Sequence, residues 1–148
     1  MLTLDYALDP IEASKQANVD FATASPEDLH YTLFPGNIYI RGQGVDLSAP
    51  WEWIPVLDFA LTLETIAKDL DYSPAQLFEF TDSNAALNFR YDGLNVEITA
   101  NYAPGVLRLP LVEFRDVVHN FCQRVIDELT RKHERLAENP EVRRYLRK

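Results

Sequence analysis

One cysteine and five glycines among 148 residues set the first limits. With Cys122 alone, no internal disulfide can form, which agrees with a reducing compartment and leaves the fold to be held by a packed core. No apolar run approaches the roughly 18 residues of a membrane-spanning helix. The opening Met1-Leu2-Thr3-Leu4-Asp5 has neither the basic nor the apolar region of a secretion signal, so the reading expects a cytoplasmic protein with no membrane partner. There is no Gly-x-Ser-x-Gly elbow and no phosphate loop, and Gly42-Gln43-Gly44 lacks the third glycine of a dinucleotide fingerprint and reads as a plain turn. No enzyme activity and no cofactor are expected. Positive charge is also short: 14 Lys and Arg stand against 23 Asp and Glu, a net charge of −9. Such a surface repels nucleic acid and favours basic protein partners.

What charge there is lies unevenly. Residues 1–130 hold 20 acids and 7 bases, whereas residues 131–148 hold 7 bases and 3 acids. The basic end suits the C-terminus of a helix, where the macrodipole favours cations, or serves as an internal partner for the acidic body. Length and a 47 % hydrophobic content suit one domain. We divide the chain into a single α+β domain over 1–136 and a basic C-terminal segment over 137–148.

Periodicity supplies the elements. Leu2, Leu4 and Tyr6 alternate with polar or small residues as in a half-buried strand ending at Asp9-Pro10. A short helix is expected within 10–27. Leu29, Tyr31 and Leu33 alternate again, Pro35-Gly36-Asn37 has turn chemistry, and Ile38–Arg41 resumes an extended pattern, so a hairpin is predicted there. From Ile54 the period becomes about 3.6: Val56, Phe59, Ala60, Leu63, Ile66, Ala67 and Leu70 form one stripe, an amphipathic helix with Pro55 in its first turn. Strands follow at 77–81, 87–91 and 94–102, with Asp92-Gly93 as a two-residue hairpin signal, then a short strand over 106–109. Pro110 opens a long helix whose stripe is Phe114, Val117, Val118, Phe121, Val125, Ile126 and Leu129, and Asn139-Pro140 is expected to break it. The predicted fold is α+β: an antiparallel sheet of about six strands with two amphipathic helices packed on one face.

Chemistry-bearing residues are few. Asp116, His119 and Cys122 share a helical face, but a structural zinc site needs four ligands and the chain has no second cysteine, so no metal site is expected. Trp51-Glu52-Trp53, set between Pro50 and Pro55, places two indoles around a carboxylate, a composition typical of interface anchors; the bland alternative is that the indoles cap the core. Asp46 and Asp58 lie close by in sequence, Asp58 also suiting the first turn of a helix. Glu79 and Glu97 point outward from strands and form a second candidate patch, with solvated surface as the ordinary reading.

The run Trp53-Ile54-Pro55-Val56-Leu57-Asp58-Phe59-Ala60, then Phe78-Glu79-Phe80-Thr81-Asp82-Ser83, Asn88-Phe89-Arg90-Tyr91-Asp92-Gly93 and Glu113-Phe114, resembles a family of small bacterial proteins often encoded beside polymorphic toxins. The resemblance spans about residues 29–136, and it does not extend to the basic tail. It implies an immunity protein that binds and blocks a cognate toxin domain. A toxin acting on nucleic acid or nucleotides has a basic cleft, which an acidic inhibitor enters quickly through electrostatic steering. The expected toxin-binding residues are Asp46, Trp51, Glu52, Trp53, Asp58, Glu79 and Glu97, in a monomer or homodimer. The alternative is a non-catalytic adaptor or chaperone-like protein that uses its C-terminal helix.

Overall fold

The computed structural model describes residues 2–8, 20–25, 34–80 and 83–145. Among the described residues, eight strands form two antiparallel four-stranded sheets. The first contains β1 (Thr3–Leu8), β2 (Pro35–Gly42), β3 (Val45–Asp46) and β4 (Ala49–Pro55), with β1, β3 and β4 all paired to β2. The second is a meander of β5 (Ala75–Glu79), β6 (Ala86–Tyr91), β7 (Asn95–Ala100) and β8 (Leu107–Pro110). Each sheet is followed by its helix, α1 (Val56–Asp69) after β4 and α2 (Leu111–Lys132) after β8. The α+β reading with two packed amphipathic helices therefore holds, with eight strands divided between two sheets.

All seven residues of the α1 stripe are buried, as are Phe114, Val118, Phe121, Val125, Ile126 and Leu129 of α2. Leu2 and Leu4 of the first strand region, Ile40 of β2, Phe59 and Leu63 of α1, Phe89 and Ile98 of the second sheet and Phe114 of α2 meet around one small apolar gap. Both sheets thus share one core with the helix pair. Most of the apolar stripe of α2 is spent in that core.

Both helices begin directly after a proline, whose missing N–H is no loss at a helix start. The next N–H groups find neighbours outside the helix: Val56 donates to the Phe34 carbonyl at 3.0 Å and Leu111 to the Leu94 carbonyl at 3.3 Å. At the far end of α1, Arg115 of α2 donates to the carbonyls of Ala67 (2.8 Å) and Lys68 (3.2 Å) and pairs with Asp71 at 3.2 Å. One guanidinium thereby caps one helix from the side of the other.

Several expectations shift. Pro35-Gly36-Asn37 is not a turn: all three lie in β2, where Gly36 pairs with Leu8 and Ile54. A Cβ on Gly36 would sit 2.2 Å from the Ala7 carbonyl oxygen, so glycine serves close backbone approach here. The predicted strand over Leu29–Leu33, and most of the expected helix over 10–27, fall outside the described residues. The β6–β7 hairpin turns at Gly93-Leu94, one residue later than read, since Asp92 N–H bonds to the Asn95 carbonyl and Asp92 Oδ1 accepts the N–H groups of Leu94 and Asn95. Asn139-Pro140 starts a short helix, and the long helix ends earlier than the expected break. α2 ends at Lys132, a 3-10 turn covers Glu134–Glu138, and Asn139 caps the short α3 (Pro140–Arg143) by accepting the Glu141 N–H.

Residues 137–145 of the C-terminal segment pack against the body. Leu136 and Val142 are fully buried, and Asn139 donates to the carbonyls of Phe21 and Ala24, both at 2.9 Å. Arg135 pairs with Asp20 at 3.0 Å, so one cation of the basic end answers the acidic body directly. Among the described residues no helix is long and apolar enough to cross a membrane.

Candidate functional site

Strand β4 departs from its partner in one place. Ile38 pairs with Ala49 and Gly36 with Ile54, so the single residue Asn37 faces the four residues Pro50–Trp53. Such an insertion bulges the strand and re-aims its side chains. The bulge is held by two features. Glu52 takes φ +70°, the left-handed region, and its N–H donates to Asn37 Oδ1 at 2.7 Å. A non-glycine residue there costs about 1 kcal/mol, and the Asn37 bond offsets it.

On this bulge the two indoles stack, with ring centres 5.6 Å apart and planes at 22°. Trp51 is half-buried and meets the edges of Phe80 (5.4 Å) and Tyr102 (5.0 Å), whose neighbours include Phe59 and Phe78 of the core. Trp53 is 41 % exposed and Glu52 is exposed beside it. The core-cap reading therefore fits Trp51, while Trp53 presents a large apolar surface supported from behind by a fixed aromatic. Tyr102 is itself tied down by its hydroxyl, which donates to the Leu47 carbonyl at 2.6 Å.

The other expected residues sit on separate elements: Asp46 acts on Tyr102 and Glu79 adjoins Phe80, both rings that touch Trp51. Asp46 lies on β3, accepts the Ser48 N–H at 2.9 Å and pairs with Arg41 at 3.3 Å. Hydrogen bonds from Ser48, then Arg41, hold its carboxyl below the usual range, so it is charged but matched by a cation. Asp58, in the first turn of α1, accepts from the Thr62 hydroxyl at 3.3 Å. Glu97 on β7 is taken by Arg108 at 2.7 Å and faces Arg90 across the strand pair. Glu79 is exposed at the end of β5, one residue before Phe80. Asn37, Phe80 and Tyr102, which hold the bulge, were not singled out from sequence. Asn37 was concealed within a Pro-Gly-Asn run that mimics a turn, and no local pattern marks the other two.

A second concave feature lies where α1, α2 and the C-terminal segment meet. Glu64, Thr65, Lys68, His119, Gln123 and Tyr145 line much of a cleft of about 490 Å³. His119 Nδ1 stands 3.4 Å from both Glu64 oxygens, and Gln123 donates to the Tyr145 carbonyl at 2.8 Å. Cys122 is buried against Glu64; burial first, and the Glu64 charge second, push its thiol up to about 12. A thiol held protonated at neutral pH is a poor nucleophile and a poor metal ligand. Among the described residues no group of three His, Cys, Asp or Glu is arranged to hold a metal ion.

Compared with known families, curated proteins and solved structures, the chain matches no family model, no curated protein and no solved structure.

Proposed function

We propose that this protein is an immunity protein that binds and inhibits a cognate bacterial toxin domain in the cytoplasm, with the Trp51-Glu52-Trp53 bulge at the centre of the contact. The observation that carries the reading is the bulge itself. The chain holds Glu52 in the left-handed region, and an exposed indole and a carboxylate stand together there on an aromatic base. Interface hot spots are enriched in tryptophan, and a preorganised anchor loses little entropy on binding. The net charge of −9 supports a basic partner, such as a nuclease or a nucleotide-consuming enzyme, through long-range steering.

The reading differs from a simple acidic plug. Asp46 and Glu97 carry their own arginine partners, so the contact energy is assigned to the indole pair and the rate of encounter to the overall charge. The test is protection in cells. The C-terminal domain of a toxin encoded beside this protein is expressed with and without it; survival only in its presence supports the reading, and equal killing in both cultures overturns it.

A further inference from the structure

The sheet edges of this molecule are treated unequally. Along β1, Arg124 of α2 donates to the Leu4 carbonyl at 2.7 Å and Tyr6 bonds Glu128, so α2 covers that edge. At β8 the Gln43 side-chain amide satisfies both the N–H (3.2 Å) and the carbonyl (2.6 Å) of Arg108, imitating a neighbouring strand. β5 has no such cover among the described residues. Pro74 accepts from the Tyr91 N–H and Phe80 donates to the Ala85 carbonyl, so even-numbered residues turn their backbone groups toward β6. Ala75, Leu77 and Glu79 consequently turn theirs outward. Their side chains are exposed as well, Leu77 by 51 %. An open strand edge with an apolar centre is a template for another strand.

The charges beside this edge say which strand fits. Seven cations of the described residues are engaged in ion pairs with Asp or Glu. Arg90 is not among them: it faces Glu97, whose carboxylate belongs to Arg108. Glu79 likewise has no cation within ion-pair distance among the described residues. Arg90 pairs across the sheet with Ala75, the smallest outward side chain of β5.

We propose that two copies of this chain associate through β5, antiparallel about a two-fold axis at Leu77, merging their four-stranded meanders into one continuous sheet. In that register Leu77 meets the partner's Leu77, and Ala75 lies opposite the partner's Glu79. Arg90 then reaches over a single methyl group, across two strand spacings of about 4.8 Å each, to the partner's Glu79. The row Arg108, Glu97, Arg90, Ala75 and the partner's Glu79 alternates in sign, and the two-fold axis repeats it. A register centred on Phe78 would set Glu79 against Leu77 and leave both charges unmatched.

The inference needs no toxin and stands apart from the inhibitor reading. Sedimentation velocity of the full chain over a range of concentrations is expected to show a monomer–dimer equilibrium. Glu79→Arg alone and Arg90→Glu alone each place like charges in both rows and weaken the dimer by about tenfold. An equimolar mixture of the two variants matches both rows again and recovers the dimer, which misfolded chains could not do. A wild-type chain that stays monomeric throughout, a dimer indifferent to either exchange, or a mixture that fails to recover would each overturn the proposal.

Discussion

Glu52 and Asn37 form the smallest unit on which the functional reading rests. The left-handed backbone at Glu52 is unfavourable by itself, and the 2.7 Å bond from its N–H to Asn37 Oδ1 keeps it in place. Asn37→Ala is expected to lower stability by about 1 kcal/mol and to loosen the bulge. Urea unfolding reads the first effect, and a drop in tryptophan fluorescence anisotropy of the native state reads the second. Two half-buried phenols and one buried thiol weaken the fold at alkaline pH. Burial raises the Tyr6 phenol, with Glu128 adding to it, and raises the Tyr102 phenol, with Asp46 adding to it; the Cys122 thiol rises from 9.0 to about 12. In each case the folded pKa lies above the unfolded one, so the stabilisation is complete below pH 9 and is lost as pH rises through the folded values. Urea midpoints are therefore expected to fall steadily between pH 9 and pH 12. A flat midpoint across that window would contradict the burial of these groups.

Among the elements, the two long helices and the first strand were readable and the start of β2 was not. The α1 stripe from Val56 to Leu70 is buried in full because a 3.6-residue period reports directly on which face meets a core. The second sheet was readable for a related reason: its strands are consecutive and joined by short turns, so local alternation at Val96 and Ile98 sufficed. β2 defeated the reading because each of its first residues has a non-local duty. Pro35 begins the strand, Gly36 lets the β1 backbone approach, and Asn37 holds the bulge of a strand twelve or more residues away. Turn chemistry in sequence has the same composition. The candidate site suffered likewise: Trp51, Glu52 and Trp53 stood out by type, but their exposure depends on Asn37, Phe80 and Tyr102, contributed by three other parts of the chain. The helix pair carries its own prediction. Arg115 supplies two hydrogen bonds to the open C-terminal carbonyls of α1 and a bond to Asp71, so Arg115→Met is expected to cost about 1.5 kcal/mol, read from the shift in urea midpoint.

For the whole molecule, charge and contact play separate parts. In the proposed reading, the net charge of −9 acts at a distance and sets how often a basic partner arrives, whereas the indole pair sets how long it stays. Glu52→Lys is accordingly expected to slow association and flatten its dependence on salt, as stopped-flow fluorescence would show. Trp53 offers the cleaner separation, because it is 41 % exposed and its loss leaves the Trp51 contacts with Phe80 and Tyr102 in place. The most direct measurement is a calorimetric titration of the purified cognate toxin domain into the wild-type chain and into Trp53→Ala, with unfolding midpoints recorded for both. The bulge reading predicts a loss of about 2 kcal/mol in binding, roughly thirtyfold in affinity, at nearly unchanged stability. Equal affinity for the two chains would contradict it and place the contact on another face.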